Sequence, residues 1–243
     1  MAVPMFYFLL RYQGYTFTSE YDVFTFFFDS FVPILFVVFS ILVYTGAFAQ
    51  EISHRFIVYT RLRISIKKIL AIKFTTNFIL TFSVFFIFIF SYFAFAYYVE
   101  PSIGLVKFDQ NFFSLNHTTV EEYTLTQNTF GQLFKYGTLV YGLTYSLWVA
   151  FNAALFASLA FLLVLLIDNK LLALSIPFGL YVIQSFFMGM LGMIQYQFYQ
   201  TLFPFNYMQL PIWTSFIPSV FLIFLCLILL VYLNISKRLD RFQ

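Results

Sequence analysis

Side chains that could carry out chemistry are few and widely separated in this sequence. The two histidines, His54 and His117, fall in different polar stretches and lack the H-E-x-x-H spacing of a zinc protease. No G-x-x-x-x-G-K-[ST] phosphate loop is present, so the chain cannot hydrolyse ATP by itself. The apolar stretches also lack the paired aspartates, or the serine with histidine, that intramembrane proteases use. The sequence therefore predicts a protein that is not an enzyme and binds neither a metal nor a cofactor.

Uncharged polar residues do occur inside the apolar stretches, notably Asn77, Asn152 and Gln184. One interpretation is that they form hydrogen bonds between helices, which contribute about 0.6 kcal/mol each inside a membrane. The other interpretation is that they line a translocation path for a substrate. The residues alone leave both interpretations open, and they make these three side chains the candidates for such a path.

The richest stretch for binding is 50–73, in which six basic residues alternate with isoleucine and leucine. It is far longer than two antiparallel helices need for a connection. The alternation predicts a short amphipathic helix at a membrane surface. Simple anchoring to anionic lipid would explain the same pattern. Its basic residues are Arg55, Arg61, Arg63, Lys67, Lys68 and Lys73, and the apolar residues among them include Ile57 and Ile64.

The elements that position these residues follow from composition. Hydrophobic residues make up 62% of the 243 residues and charged residues only 9%, whereas soluble domains carry about 25% charged residues. The blocks 30–50, 74–99, 136–167 and 171–236 contain no charged residue at all. This excludes an ordinary cytosolic enzyme, a nucleic-acid-binding domain and a disordered tail, and it predicts a protein embedded in a lipid bilayer.

A bilayer core of about 30 Å needs roughly 20 helical residues. On that basis the sequence predicts an all-α, polytopic membrane protein with a single transmembrane domain over 1–243. Tyr141, Tyr145 and Trp148 are interpreted as an interfacial belt at the start of one span. The predicted spans are 31–49, 74–98, 145–167, 171–194 and 212–234, with outer loops at 99–135 and 195–211.

Orientation follows from the distribution of lysine and arginine. Ten of the thirteen basic residues fall on the side that holds 50–73, 168–170 and 235–243. The positive-inside rule makes this side cytoplasmic, which predicts a cell-membrane protein with a cytoplasmic C-terminus. Residues 1–10 are apolar but too few to cross. They either lie in the membrane interface beside Tyr7 and Tyr12 or form the outer part of a sixth span.

The basic stretch resembles the first cytoplasmic loop of type-2 ATP-binding-cassette (ABC) permeases. In that family a glutamate ends the second span, and a coupling helix, an isoleucine–serine pair, basic residues and a lysine follow. Here Glu51, the pair Ile64-Ser65, then Lys67 and Lys68, and finally Lys73 occupy the corresponding places. The Gly-Thr pair that often follows the glutamate is missing, and no proline precedes the isoleucine.

The resemblance implies a six-span permease that works with other proteins, with five complete spans and residues 1–10 as the outer end of a partial N-terminal one. A separate ATPase subunit, which holds ATP and Mg, would dock on 50–73 and drive the permease between inward and outward states. A second permease chain, identical or related, would complete the path, and the cargo would be amphipathic or hydrophobic and exported. The alternative is a secondary carrier or a non-transporting membrane scaffold. The residues that the resemblance assigns to ATPase coupling are Glu51, Arg55, Ile57, Arg61, Arg63, Ile64, Ser65, Lys67, Lys68 and Lys73.

Overall fold

The structure, a computed structural model, describes residues 2–28, 31–54, 65–109, 122, 126, 128–205 and 209–236. Within these ranges the chain is mainly helical; Phe17 and Phe108 form an isolated β-bridge, and no longer strand occurs in the described residues. The all-α prediction is therefore confirmed. The α-helices are α1 Ala2–Arg11, α2 Glu20–Phe26, α3 Val32–Leu42, α4 Thr45–Ser53, α5 Ile66–Ala94, α6 Glu100–Ile103, α7 Thr138–Leu166, α8 Lys170–Met190, α9 Phe198–Leu202 and α10 Ile212–Ile235.

Four helical segments in the described part of the chain are long and apolar enough to cross a membrane. They are α7, α8, α10, and the run Ile66–Ile103, in which a π-helical turn at Phe95–Val99 joins α5 to α6. The pair α3 and α4, bent by 44° between them, forms a fifth if it is one broken span. These lengths and compositions are those of an integral membrane protein.

Helix α7 forms the centre of the bundle. It packs against α5 along most of its length and also contacts α3, α4, α8 and α10. In its most apolar stretch 89% of the residues are buried by protein, against 17% for α8 and 28% for α10. Alanines on α7, including Ala153 and Ala157, are fully buried and allow its neighbours to approach closely.

The connection between α7 and α8 is short and tightly bonded. Lys170 Nζ donates hydrogen bonds of 2.7 Å and 2.8 Å to the carbonyls of Val164 and Ile167. A cation at this position also suits the negative end of the helix dipole of α7. Asn169 Oδ1 accepts a hydrogen bond from the amide of Leu172 and so caps the start of α8.

An aromatic cluster closes the end of the bundle that carries α1 and α2, called the cap end below. Phe8 of α1 is buried and lies with its ring centroid 5.0 Å from that of Phe27 and 5.8 Å from that of Phe95. Phe24 of α2 packs edge-to-face on Tyr145 of α7, at 5.8 Å. Helix α1 has ten residues, too few to cross a bilayer.

Candidate functional site

The stretch that resembles a coupling loop is closed at its base by an ion pair. Lys73 Nζ lies 2.5 Å from Glu51 Oε2, which joins the last turn of α4 to the second turn of α5. Lys73 Nζ also lies 6.0 Å from the ring centroid of Phe48. The Phe48 ring stacks on Phe161 of α7, with the centroids 4.0 Å apart. The ion pair is thus held beside the central helix of the bundle.

The connection between these helices is shorter than the predicted 50–73. Helix α4 ends at Ser53 and α5 begins at Ile66, after Ser65. Burial of Ile66, Ile69 and Leu70 explains the early start of α5, because this spacing places the three side chains on one helical face. Ser65, Lys67 and Lys68 are exposed. The other predicted coupling residues, Arg55, Ile57, Arg61, Arg63 and Ile64, lie outside the described residues.

Asn77 lies where α5 meets the bend between α3 and α4. Tyr44 leaves the helical conformation there, with φ −143° and ψ −42°. The next residue, Thr45, lies with its Oγ1 at 2.9 Å from Asn77 Oδ1 and at 3.2 Å from the carbonyl oxygen of Ala157. All of these side chains except that of Tyr44 are fully buried. The bend is therefore fixed by polar contacts to both α5 and α7.

Asn152 joins α7 to α10. Its Oδ1 accepts a hydrogen bond of 2.6 Å from Ser219 Oγ, and its Nδ2 donates one of 3.0 Å to the carbonyl of Trp148. Asn152 and Ser219 are both buried. These bonds occupy both ends of the amide in a contact between two helices.

Gln184 of α8 holds a segment that folds back against the bundle, residues 194–205, called the re-entrant segment below. Gln184 Nε2 donates a 2.7 Å hydrogen bond to the carbonyl of Tyr196, and its Oε1 accepts a 2.9 Å bond from the amide of Phe198. The amide of Tyr199 bonds to Ser185 Oγ at 3.1 Å. Much of the predicted outer loop 195–211 is therefore packed inside the protein.

The three path candidates are not brought together. Asn77, Asn152 and Gln184 bond to Thr45, Ser219 and the re-entrant segment respectively. The contacts of Asn77 and Asn152 join packed helices, and the contact of Gln184 holds the re-entrant segment against α8. A path lined by these three side chains stays a prediction that stands beside the packing interpretation.

The aromatic residues interpreted as an interfacial belt have another role in the structure. Tyr145 OH donates a 2.8 Å hydrogen bond to the carbonyl of Leu202, and Trp148 Nε1 donates a 3.0 Å bond to that of Thr201. Tyr141, Tyr145 and Trp148 are buried. An aromatic side chain with a polar tip suits an interface or a buried backbone carbonyl equally, so the sequence pattern could not separate the two.

Glu100 is a site residue that the sequence prediction missed. The predicted span ended at 98, but the helical run continues to Ile103 and takes Glu100 with it. Its side chain is fully buried; Oε1 accepts a 2.8 Å hydrogen bond from the amide of Val106, and Oε2 has no hydrogen-bond partner among the described residues. A buried carboxylate in a membrane helix is a functional candidate because burying it is costly.

No protein-family model, curated protein or solved structure matches this chain.

Proposed function

We propose that this chain is the membrane-embedded permease subunit of an ABC transporter. The observation that carries the proposal is the ion pair between Glu51 and Lys73. These two residues bound the motif that resembles the family's coupling loop, and they lie in contact at its base. The pair fixes where the two ends of the loop leave the bundle, as a docking element between two helices requires.

The proposed mechanism divides the work between two proteins. A separate ATPase subunit binds and hydrolyses ATP with Mg, and it docks on the basic residues of 50–73, namely Arg55, Arg61, Arg63, Lys67 and Lys68, with Ile57 and Ile64 as apolar anchors. Movement of the docked loop reaches α4 and α5 through the Glu51–Lys73 pair. The stack of Phe48 on Phe161 extends the contact to α7, the centre of the bundle. The permease then shifts between states with different affinity for its cargo.

A second permease chain, identical or related, completes the proposed transporter, because five or six helices are few for a transport path. The apolar exposed faces of α8 and α10 give room for such a neighbour as well as for lipid. A nearly uncharged interior suits amphipathic or hydrophobic cargo, and the family resemblance favours export. The proposed location is the cell membrane, with the C-terminus in the cytoplasm.

The test is co-purification of the ATPase from native membranes with the full-length chain. We expect a protein with a phosphate loop to accompany the unaltered chain and to be lost from the double variant Arg61→Glu/Arg63→Glu. The matched control is Lys107→Glu/Lys135→Glu, which reverses two charges in the predicted outer loop. Retention of the ATPase by the Arg61/Arg63 variant, or its loss from both variants equally, contradicts the assignment.

Glu100 favours a second candidate, an ion-coupled secondary carrier, because such proteins use carboxylates inside membrane helices. The variant Glu100→Gln removes the charge and keeps a group that accepts the bond from Val106. For a carrier, transport by this variant in vesicles loses its dependence on an ion gradient. For the ABC permease, ATP-driven transport by the same variant is retained.

A further inference from the structure

An apolar cleft opens between α3 and α5. Both helices pack along α7, and they meet each other through Phe36 and Phe85, whose ring centroids lie 5.2 Å apart at the floor of the cleft. Phe203 of the re-entrant segment also lines the cleft, with its ring centroid 5.4 Å from that of Phe36. The cleft encloses a volume of about 240 Å³. An apolar cavity of about 150 Å³ is enough to hold a benzene molecule, so this cleft is large enough for a ligand.

The cleft is long and parallel to the helices. Its wall on α3 runs from Val32 to Val43, about three turns or roughly 16 Å at 1.5 Å per residue. It begins at the cap end and stops at the bend beside Thr45. Half of a bilayer core of about 30 Å is about 15 Å. The wall on α3 therefore has the length of one leaflet's hydrocarbon layer, and α5 lines part of it from Val84 to Ile89, roughly 8 Å.

The lining is chemically uniform and open to one side. Every lining side chain is a phenylalanine, valine or isoleucine. At the mouth, Phe39 of α3 and Val84 of α5 are 38% and 39% exposed. Beyond the mouth the apolar surface continues over exposed residues such as Ile87. The cleft is thus continuous with the surface that these helices present to lipid.

We propose that this cleft binds one acyl chain of a membrane phospholipid, from the leaflet that meets the cap end. Its length matches one leaflet, its direction follows the lipid chains, and its lining offers no hydrogen bond to water. The inference requires only that the chain lies in a bilayer, so it is independent of the proposed ABC function.

The test uses the full-length chain in vesicles that contain phosphatidylcholine with a photoactivatable diazirine midway along one acyl chain. After illumination, cross-linked peptides are mapped by mass spectrometry. Label is counted only at residues that line the cleft, such as Phe36, Phe85 and Ile89, which are at most 6% exposed. We expect these residues to carry more label than Ile183 and Phe186 of α8, which are 69% and 70% exposed. Label that simply follows exposure, and so favours α8, overturns the proposal.

Filling the cleft gives a second, independent measurement. We expect Val84→Trp to reduce labelling of the cleft walls at least fivefold, while Ile87→Trp, on the lipid-facing side of the same helix, leaves it unchanged. Phe39→Trp fills the cleft from the opposite wall. It replaces Val84→Trp in the labelling experiment if that variant does not fold. Unchanged cleft labelling in a folded filling variant contradicts the proposal.

Disulfide formation and cross-linking would detect two other possible occupants of the cleft, a second copy of the chain and residues 110–121 of the same chain. A disulfide between two chains that carry Phe39→Cys, in a Cys226→Ala background, would place a second copy in the cleft. A cross-link from α3 to residues 110–121 would place this chain's own loop there. Either result overturns the assignment of the cleft to lipid.

Discussion

Lys73 Nζ lies 2.5 Å from Glu51 Oε2, and this contact joins α4 to α5 across 22 positions of the sequence. The side chains are partly exposed, 24% for Lys73 and 39% for Glu51. An ion pair with this exposure contributes modestly to stability. Its geometric effect is larger, because it fixes the spacing of two helices at the point where the proposed ATPase would push.

A charge swap tests this pair. Either Glu51→Lys or Lys73→Glu places like charges together, and we expect each to lower the thermal midpoint of the purified chain in detergent. The swapped variant with both changes should recover most of the loss, with a coupling energy of about 0.5–1 kcal/mol. Lys67→Glu, at an exposed lysine on the same helix, is the control. A swapped variant no more stable than the weaker single variant would show that the pair is not formed.

Close packing between α5 and α7 is tested at Gly142. A Cβ atom there would lie 2.2 Å from the ring of Phe93, which is fully buried. We expect Gly142→Ala to destabilise the protein by about 1–3 kcal/mol, as overpacking does. Gly179→Ala is the matched control, because a Cβ atom there meets nothing within 4 Å. Equal thermal midpoints for the two variants would contradict the packing described here.

Substitutions at Asn152 and Ser219 distinguish a structural role of Asn152 in helix packing from a role in lining a translocation path. If its contact with Ser219 is structural, Ser219→Ala and Asn152→Leu both lower the thermal midpoint, because each lost bond removes about 0.6 kcal/mol of stability. Ser175→Ala is the control, since Ser175 is exposed and bonds within its own helix. If Asn152 lines a path, Asn152→Leu instead changes transport in vesicles while the thermal midpoint stays constant.

The features of the fold that could be predicted from the sequence are those encoded by residues close together in the chain. Charge-free blocks and hydropathy are properties of consecutive residues, so the all-α class and the long apolar helices were accessible. The bend at Tyr44 was not, because its neighbours Asn77 and Ala157 in the fold are distant in sequence and Gly46 alone, inside α4, does not mark it. Burial of Glu100 was missed because its bonding partner Val106 lies beyond the apolar block.

Only part of the candidate site could be predicted from the sequence, for the same physical reason. Glu51 and Lys73 were selected because a motif contains them, and the structure brings them into contact. Gln184 was selected for its polarity, but its bonds to Tyr196 and Phe198 depend on a chain reversal that hydropathy does not encode. The prolines near 204 and 211 indicated only that α8 and α10 are separated by a connection.

The re-entrant segment gives a prediction for Gln184. Replacement by leucine removes the two hydrogen bonds that Gln184 makes to this segment, so backbone amides from Tyr196 to Leu202 should exchange with deuterium faster. We expect at least a tenfold increase at Phe198, measured by hydrogen-exchange mass spectrometry. Ile183→Ala, at the adjacent exposed residue, should leave the exchange unchanged. Unaltered exchange in Gln184→Leu would show that the aromatic contacts alone hold the segment.

The proposed orientation is testable with introduced cysteines. Cys226 is the single cysteine of the chain and is buried, so Cys226→Ala provides a background without thiols. In intact cells a membrane-impermeant maleimide should label Lys107→Cys at once. It should label Arg61→Cys only after the membrane is permeabilised. The reverse pattern would contradict both the orientation and the docking of a cytoplasmic ATPase.

Enclosure of α7 has a consequence for biogenesis. This helix is apolar enough to enter a bilayer alone, yet nearly all of its surface ends up against protein. Helices α8 and α10 follow α7 in the chain, so the contacts that cover this side of α7, including that of Ser219 with Asn152, form only after α10 has been synthesised. A chain interrupted after α7 would keep the packing on α5 but leave Asn152 without its bond to Ser219.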